Sequence, residues 1–142
     1  MSVGDTVGVA VVGLHRRIYR LSGGRMMGAF GGMPVIELTT TGAKSGKQRT
    51  TMLTVPLHYQ GNRVIVASKG GTPENPAWYH NLVANPQVTV TEKGESTELR
   101  ARVLTPEERE EVWPKIVVAY KGYGGYQEKT SRTIPVVVLE LA

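Results

Sequence analysis

Apolar side chains recur at intervals of three and four residues near the start of the chain, at Val7, Val11, Leu14, Ile18 and Leu21. Residues at this spacing share one face of a helix, so residues 3–21 are predicted to form an amphipathic helix. Its basic flank consists of His15, Arg16, Arg17 and Arg20. The run from Ser22 to Gly24 predicts its end, and a glycine-rich connection follows at residues 26–32.

Beyond Pro34 the pattern changes to the β-branched runs that are typical of strands. Strands are predicted at residues 35–41, 48–59, 63–67, 88–91, 97–103 and 136–141, the second one bent near Pro56. Helices are predicted at residues 76–84 and from 106 to about 120, and a glycine- and tyrosine-rich loop at 120–126. About six strands with helices packed on them indicate the α+β class and a small, mainly antiparallel barrel.

Two helix starts carry capping signals. Asn75 is predicted as an N-cap with Pro76 at the first helical position. Thr105 and Glu108 have the spacing of a capping box. No repeat or linker interrupts the chain, so residues 1–142 are predicted to form a single domain. Within it, the N-terminal helix lies in 1–25 and the core in 34–142.

Composition narrows the chemistry. The 142 residues include no cysteine, which excludes disulfides, thiolate zinc sites and a cysteine nucleophile. The net charge is +5, but it is uneven: residues 1–72 hold nine Lys/Arg and two Asp/Glu, whereas residues 73–142 hold eight and ten. A one-sided surplus of cations predicts an anionic partner, namely nucleic acid, anionic lipid or a phosphate-bearing cofactor. The alternative is a solvated basic face.

No apolar run approaches the roughly 20 residues that a membrane span needs, and no signal peptide is predicted. A cytoplasmic location is therefore expected. Residues 3–21 could also lie on the inner face of the cell membrane, or serve packing or a dimer contact instead.

The first stretch with chemical potential is the turn at residues 39–49. Its glycines, Gly42 and Gly46, stand one residue too close for a P-loop, and Gln48 occupies the place of the magnesium-binding Ser/Thr. A glycine turn still exposes main-chain N–H groups, and the cations Lys44, Lys47 and Arg49 lie beside it. The turn therefore suits phosphate or carboxylate, with an ordinary charged hairpin turn as the alternative.

The second stretch spans residues 67–82. A strand ends in Ser68 and Lys69, and a loop then leads into a helix that carries Trp78 and Asn81. Main-chain N–H groups at a strand end and at a helix start suit an anion or an acceptor-rich ring. Trp78 offers a flat apolar face for stacking, although most tryptophans serve core packing.

The third stretch places Tyr120, Tyr123 and Tyr126 three residues apart, so the three phenols are expected near one side. They favour a lid over an aromatic ligand, with surface tyrosines in a turn as the alternative. His15, His58 and His80 lack metal-ligand spacing, and no metal is predicted. The serine-hydrolase and Rossmann motifs are absent as well.

Taken together, the three stretches TTTGAKSGKQRT, VIVASKGGTPENPAWYHNLVANPQVTV and the tyrosine loop before RTIPVVVLE resemble the deazaflavin-dependent nitroreductase family, whose members use coenzyme F420. The resemblance runs from about Pro34 to Glu140. It implies a split β-barrel related to the flavin-mononucleotide-binding barrels. It also implies a cofactor whose phosphate and oligoglutamate tail are the anionic partner of the basic half.

The resemblance assigns a role to each matching residue. Phosphate and tail contacts fall to Lys44, Ser45, Arg49 and Lys69. Ala67 and Ser68 match the strand end against the deazaflavin ring, and Trp78 and Asn81 match the bordering helix. Further cofactor contacts are expected at Thr51, Met52, Leu53 and Gly70. The predicted catalytic residues are Ser68, Tyr120, Tyr123 and Tyr126, where the tyrosines close over the substrate.

The implied reaction is hydride transfer from reduced F420 to a small planar acceptor: an enone, a quinone or a nitro-heterocycle. Ser68 is expected to polarise the cofactor or acceptor, and Tyr123 or Tyr126 to supply a proton. Thr54 stands where some members place a further tyrosine beside the substrate.

The chain is expected to be a monomer or a homodimer. The alternatives are the same barrel binding flavin mononucleotide or haem, and a basic barrel binding nucleic acid. The second is disfavoured because the aromatic residues fall mostly outside the strands.

Overall fold

A computed structural model describes residues 29–30 and 32–142. The predicted N-terminal helix lies outside these residues. The described part contains eight strands: β1 (Ala29–Phe30), β2 (Met33–Thr41), β3 (Gln48–Thr54), β4 (Leu57–Tyr59), β5 (Asn62–Val66), β6 (Gln87–Glu92), β7 (Glu95–Val103) and β8 (Val136–Leu141). Three α-helices accompany them: α1 (Ala77–Ala84), α2 (Pro106–Ala119) and α3 (Gly122–Glu128). None of these helices is long and apolar enough to cross a membrane.

The strands form one antiparallel sheet in the order β1-β2-β6-β7-β8-β5-β4, with β3 paired to β2. The edge strands β3 and β4 are separated along the chain by only Val55 and Pro56. Because two residues span only a few ångströms, the edges β3 and β4 must meet there, and the sheet curls into a barrel that is open at this seam. The α+β split barrel is therefore confirmed.

Side chains from the two faces of the sheet build two separate cores. On β5, Ile65 lies in the core inside the barrel, whereas its neighbours Val64 and Val66 lie in a second core beneath α2 and α3. Strand β8 repeats this division, with Val137 inside and Val138 outside. Successive side chains of a strand point to opposite faces, so strands covered on both faces are apolar at every position. This explains why the first four residues of β8 are all apolar.

The structure corrects three predictions of secondary structure. Eight strands replace about six, because residues 29–30 form β1 and the predicted strand at 48–59 is divided at Val55, which is buried, and Pro56. The tyrosine-rich segment is the helix α3 rather than a loop. Pro76, not Asn75, is the N-cap of α1, and the side-chain oxygen of Asn75 accepts a hydrogen bond from Arg132 instead.

Helix α2 begins as predicted. The Thr105 hydroxyl accepts from the Glu108 N–H at 3.2 Å, and the Glu108 carboxylate accepts from the Thr105 N–H at 2.9 Å. Arg102 of β7 donates to both Glu108, at 2.7 Å, and Glu140 of β8, at 3.0 Å. The guanidinium of Arg102 and the Thr105 N–H lower the pKa of Glu108 to about 2. These bonds fasten the start of α2 to the sheet.

Candidate active site

The turn between β2 and β3 is closed by its own backbone. The Gly42 N–H donates to the Lys47 carbonyl at 2.7 Å, and the Gly46 N–H donates to the Gly42 carbonyl at 3.0 Å. The Ser45 hydroxyl accepts from the Lys47 N–H at 3.1 Å, so it shapes the turn. The three cations of the turn are exposed, and none has a carboxylate within 4.0 Å in the described part of the chain: Lys44, Lys47 and Arg49.

Asn81 joins helix α1 to this turn. Its side-chain oxygen accepts from the Ala43 N–H at 3.0 Å, and its amide nitrogen donates to the buried Thr40 hydroxyl at 3.2 Å. Because the oxygen and the nitrogen of its amide are both hydrogen-bonded, Asn81 fixes the position of the cationic turn relative to α1. Trp78 lies on the same helix and packs, partly buried, against the core inside the barrel.

A sharp corner follows β5 at residues 67–71. Ser68 adopts the right-handed helical conformation (φ −75°, ψ −40°), and the next three residues have positive φ: +44° at Lys69, +65° at Gly70 and +81° at Gly71. A right-handed residue followed by a left-handed one turns successive N–H groups to one side, a geometry that binds anions. The ammonium of Lys69 stands at the corner, 3.9 Å from the exposed carboxylate of Glu74. Such an exposed pair holds the ammonium only weakly, so it remains available to a ligand.

The corner and helix α3 approach each other at Gly71. A β-carbon added there would lie 2.5 Å from the carbonyl oxygen of Tyr126 and 2.9 Å from its α-carbon. These distances are shorter than van der Waals contact, so only glycine allows this approach. The predicted cofactor corner and the tyrosine helix are therefore in direct contact.

The three predicted tyrosines form one cluster. The rings of Tyr120 and Tyr123 meet edge to face with centroids 5.4 Å apart, and those of Tyr123 and Tyr126 do the same at 6.1 Å. Tyr123 is buried, and its hydroxyl lies 2.6 Å from the hydroxyl of Thr54 at the end of β3. The cluster is thus fastened to the edge strand, at the position that sequence reasoning assigned to the substrate.

The environment keeps two of these phenols protonated. Burial raises the pKa of Tyr123. A hydrogen bond with Tyr120, together with burial, raises the pKa of Tyr126. Both groups therefore hold their protons throughout the neutral range.

Strand β3 presents its residues on two faces. Thr51 and Leu53 alternate with Met52 along the strand, and Leu53 packs against the core inside the barrel. The side chains of these three residues therefore cannot all contact one ligand from the same face. Among the described residues β3 pairs only with β2, so its other edge offers main-chain N–H and C=O groups beside the seam.

Sequence reasoning missed Arg132, which precedes β8. Its guanidinium donates to oxygen atoms of the segment 67–75, which includes Ser68 and Lys69. The available signal was an arginine just before an apolar strand with no acidic residue within three positions. That pattern alone does not identify which acceptors it binds.

Among the described residues, no three His, Asp or Glu side chains come together as a metal site. The chemistry of the site is that of exposed cations, main-chain donors and phenols. It fits an anionic organic cofactor: cations lie at the β2–β3 turn and at the corner, main-chain N–H donors lie at the corner, and the phenols lie beside it.

Residues 11–141 match the family model described as F420H(2)-dependent quinone reductase. An F420H(2)-dependent quinone reductase of Mycobacterium tuberculosis is 42% identical over 138 residues, which cover 94% of this chain and 91% of that protein. A solved structure of an F420-H2 dependent reductase is 46% identical, with a TM-score of 0.67, over 75% of this chain and 94% of that one.

A second solved structure, described as a domain-swapped dimer, is 39% identical with a TM-score of 0.69 and covers 98% of this chain and all of that one. These likenesses confirm the predicted oxidoreductase class and its deazaflavin cofactor. The chain belongs to the F420H(2)-dependent quinone reductase family.

Proposed function

We propose that this protein transfers a hydride from reduced F420 to a quinone. The cofactor is held between the β2–β3 turn, helix α1 and the corner at residues 67–71. The observation that carries this proposal is the bridge at Asn81, which joins the cationic turn to the helix that begins a few residues after the corner. The cationic turn and helix α1, which are distant in sequence, therefore belong to one surface.

The anionic part of the cofactor suits the cations Lys44, Arg49 and Lys69, which have no strong partner within residues 32–142. Their attraction is partly screened by salt because the side chains are exposed. The N–H groups at Ser68 and Lys69 add directional bonds. When bound, the reduced deazaflavin supplies a hydride from C5.

The tyrosine cluster supplies the proton that a reduced quinone needs. Tyr123 is buried and bonded to Thr54, so it sets the position of the cluster. Tyr126 is hydrogen-bonded to Tyr120, so a proton can pass between the two phenols. Once the quinone has accepted the hydride, Tyr120 gives its proton to the quinone oxygen and takes one from Tyr126, which is reprotonated from solvent water. Ser68 at the corner is the predicted hydrogen-bond partner of the cofactor or acceptor.

The cofactor part is tested by titrating oxidised F420 into the protein and following its fluorescence. Lys44→Ala and Lys69→Ala should each raise the Kd about three- to tenfold at low salt, with a smaller effect at high salt. Lys115→Ala, on the exposed side of α2, is the matched control and should leave the Kd unchanged. Equal effects of all three substitutions would show that only the overall charge matters.

The chemical part is tested by mixing the protein with reduced F420 and menadione and following cofactor oxidation. Acceleration above the protein-free rate is expected. Tyr120→Phe should lower kcat more than Tyr123→Phe if Tyr120 is the group that gives its proton directly to the quinone. No acceleration with any quinone, despite tight cofactor binding, would refute the proposed acceptor class.

Two further proposals concern assembly and location. The domain-swapped relative supports a homodimer, which light scattering on the full chain would detect. We also propose a cytoplasmic enzyme whose residues 3–21 touch anionic lipid and bring it to quinones. Flotation with anionic vesicles should then fall when Arg16, Arg17 and Arg20 are all replaced by Gln.

A further inference from the structure

Arg132 lies in the segment between α3 and β8, and its side chain binds the segment that follows β5. Its guanidinium donates four hydrogen bonds, to the carbonyl oxygens of Ala67 (3.2 Å), Ser68 (2.8 Å) and Thr72 (2.9 Å) and to the side-chain oxygen of Asn75 (2.7 Å). One planar group therefore fixes four points over nine residues. This fork is specific to arginine, because lysine offers a single nitrogen.

All four partners of Arg132 are neutral oxygen atoms. No carboxylate lies within 4.0 Å of its guanidinium in the described part of the chain. Arg102 and Arg63 differ, since the first is paired with Glu108 and Glu140 and the second with Glu92. The positive charge of Arg132 is therefore not cancelled by a neighbouring acid.

The hydrogen bonds of Arg132 also fix the direction of N–H groups on the opposite side of the corner, because a peptide unit is planar. The Ala67 carbonyl shares a peptide unit with the Ser68 N–H, and the Ser68 carbonyl shares one with the Lys69 N–H. These peptides are trans, so each N–H points away from its carbonyl and hence away from Arg132. A cation bonded to a carbonyl also polarises that peptide unit, which makes its N–H a stronger donor.

Arg132 is also tied to the tyrosine helix. Its own carbonyl accepts from the side-chain amide of Gln127 in α3 at 2.7 Å. The same Gln127 accepts from Arg109 at 3.0 Å, which ties this part of α3 to α2. Arg132 thus contacts the corner through its side chain and α3 through its backbone.

We propose that Arg132 is the positioning residue of the cofactor site: from behind the corner it directs the N–H groups of Ser68 and Lys69 toward a negatively polarised oxygen of bound F420. That oxygen belongs either to the phosphate or to the deazaflavin ring. The inference rests on the proposed function, because it requires the corner to be part of the F420 site.

The test measures the Kd of F420 and of its phosphate-free riboside by fluorescence titration. The variants are Arg132→Gln and Arg132→Lys, and the matched controls are Arg63→Gln and Arg63→Lys in a half-buried ion pair. Arg132→Gln should raise the Kd of F420 about tenfold or more, the loss expected for charge-assisted bonds. Arg132→Lys should fall between this variant and the parent, and the Arg63 variants should stay within about twofold.

The riboside identifies the oxygen. If only F420 is weakened, the N–H groups hold the phosphate; if both ligands are weakened alike, they hold the ring. In either case the KM for menadione at saturating cofactor should stay within about twofold, because Arg132 acts on cofactor binding. A merely structural role would raise the KM for menadione together with the Kd.

The failures are distinguishable. If the parent protein binds neither ligand, the proposed function is wrong. If the parent binds F420 and both Arg132 variants bind both ligands as tightly, the proposed role of Arg132 is wrong. If Arg132→Gln fails to fold, the Kd of Arg132→Lys is compared with that of Arg63→Lys instead. Equal Kd values for those two would refute the role of Arg132.

Discussion

The contact between the corner and helix α3 can be tested with two alanines that differ in only one respect. Gly71 and Gly61 both have a φ of +81°, so alanine is conformationally strained at either position. At Gly61, in the turn between β4 and β5, a β-carbon would have no atom within 4 Å. At Gly71 it would lie 2.5 Å from the Tyr126 carbonyl oxygen. The difference between the two variants isolates the close approach of α3.

The magnitudes follow from the two contributions. A left-handed alanine costs about 1–2 kcal/mol, which applies to both variants. Overpacking adds about 1–3 kcal/mol at Gly71 alone, because the obstructing atoms belong to backbone and cannot rotate away. With an unfolding entropy of about 0.3 kcal/mol/K for a chain of this length, 1 kcal/mol corresponds to about 3 °C in Tm. Gly61→Ala should therefore lower the Tm by about 3–6 °C and Gly71→Ala by about 6–15 °C.

Thermal unfolding by circular dichroism measures both values, and F420 titration on the same samples measures the site. Gly71→Ala should also weaken F420 binding, because α3 and the corner must separate to admit the methyl group. Gly61→Ala should leave the Kd unchanged. Equal decreases in Tm, or normal F420 binding by Gly71→Ala, would show that the contact between the corner and α3 does not position the site.

Three further outcomes are expected. The pKa of Glu108 lies at about 2, below its ordinary value of 4.5, so its stabilising effect is complete above pH about 4.5 and is lost as the pH falls toward 2; Glu108→Gln should flatten the dependence of Tm on pH in that window. Thr54→Val and Tyr123→Phe should each cost about 0.5–1.5 kcal/mol, and the double variant should lose less than the sum, as a denaturant titration of all three would measure. Asn81→Ala should raise the Kd of F420 several-fold, because the cationic turn loses its tie to α1; an unchanged Kd would show that the turn is held in place without Asn81.

The strands could be predicted from the sequence because their patterns are local. The runs that became β2, β5, β6 and β8 are rich in β-branched residues, and each appears close to its predicted bounds. The division of the second predicted strand was missed because Val55 continues the apolar pattern. Its neighbour Pro56 was expected to cause only a bend, but the curl of the barrel places a strand boundary there.

Helix α3 was missed for a physical reason. Its sequence contains Gly122, Gly124 and Gly125, and glycine is among the poorest helix formers. Packing overrides this preference: a β-carbon at Gly122 would lie 2.3 Å from the ring of Tyr120, and one at Gly124 would lie 3.3 Å from Val117. Gly122 and Gly124 weaken the helix locally but allow this close approach, whereas a β-carbon at Gly125 would have no atom within 4 Å.

The candidate site was predictable where one segment supplies several groups and was not predictable where distant segments meet. The Lys44 turn and the Ser68 corner each stand out within a dozen residues. The bonds of Arg132 join residues 57 to 65 positions apart, and that of Thr54 with Tyr123 joins residues 69 apart. Only the pairing order of the barrel brings these residues together, and that order is a property of the whole chain.

The two halves of the site have separate supports, and this bears on how substrate preference could change without loss of the cofactor. The cationic turn is held by Asn81 on α1, which packs on the core inside the barrel. The tyrosine cluster belongs to the second core beneath α2 and α3, and in the described part of the chain one hydrogen bond, between Thr54 and Tyr123, ties it to the edge strand. A substitution at Thr54 therefore alters the acceptor side without touching Asn81 or the turn. Gly71, where the corner touches α3, is the position where a change should affect both halves together.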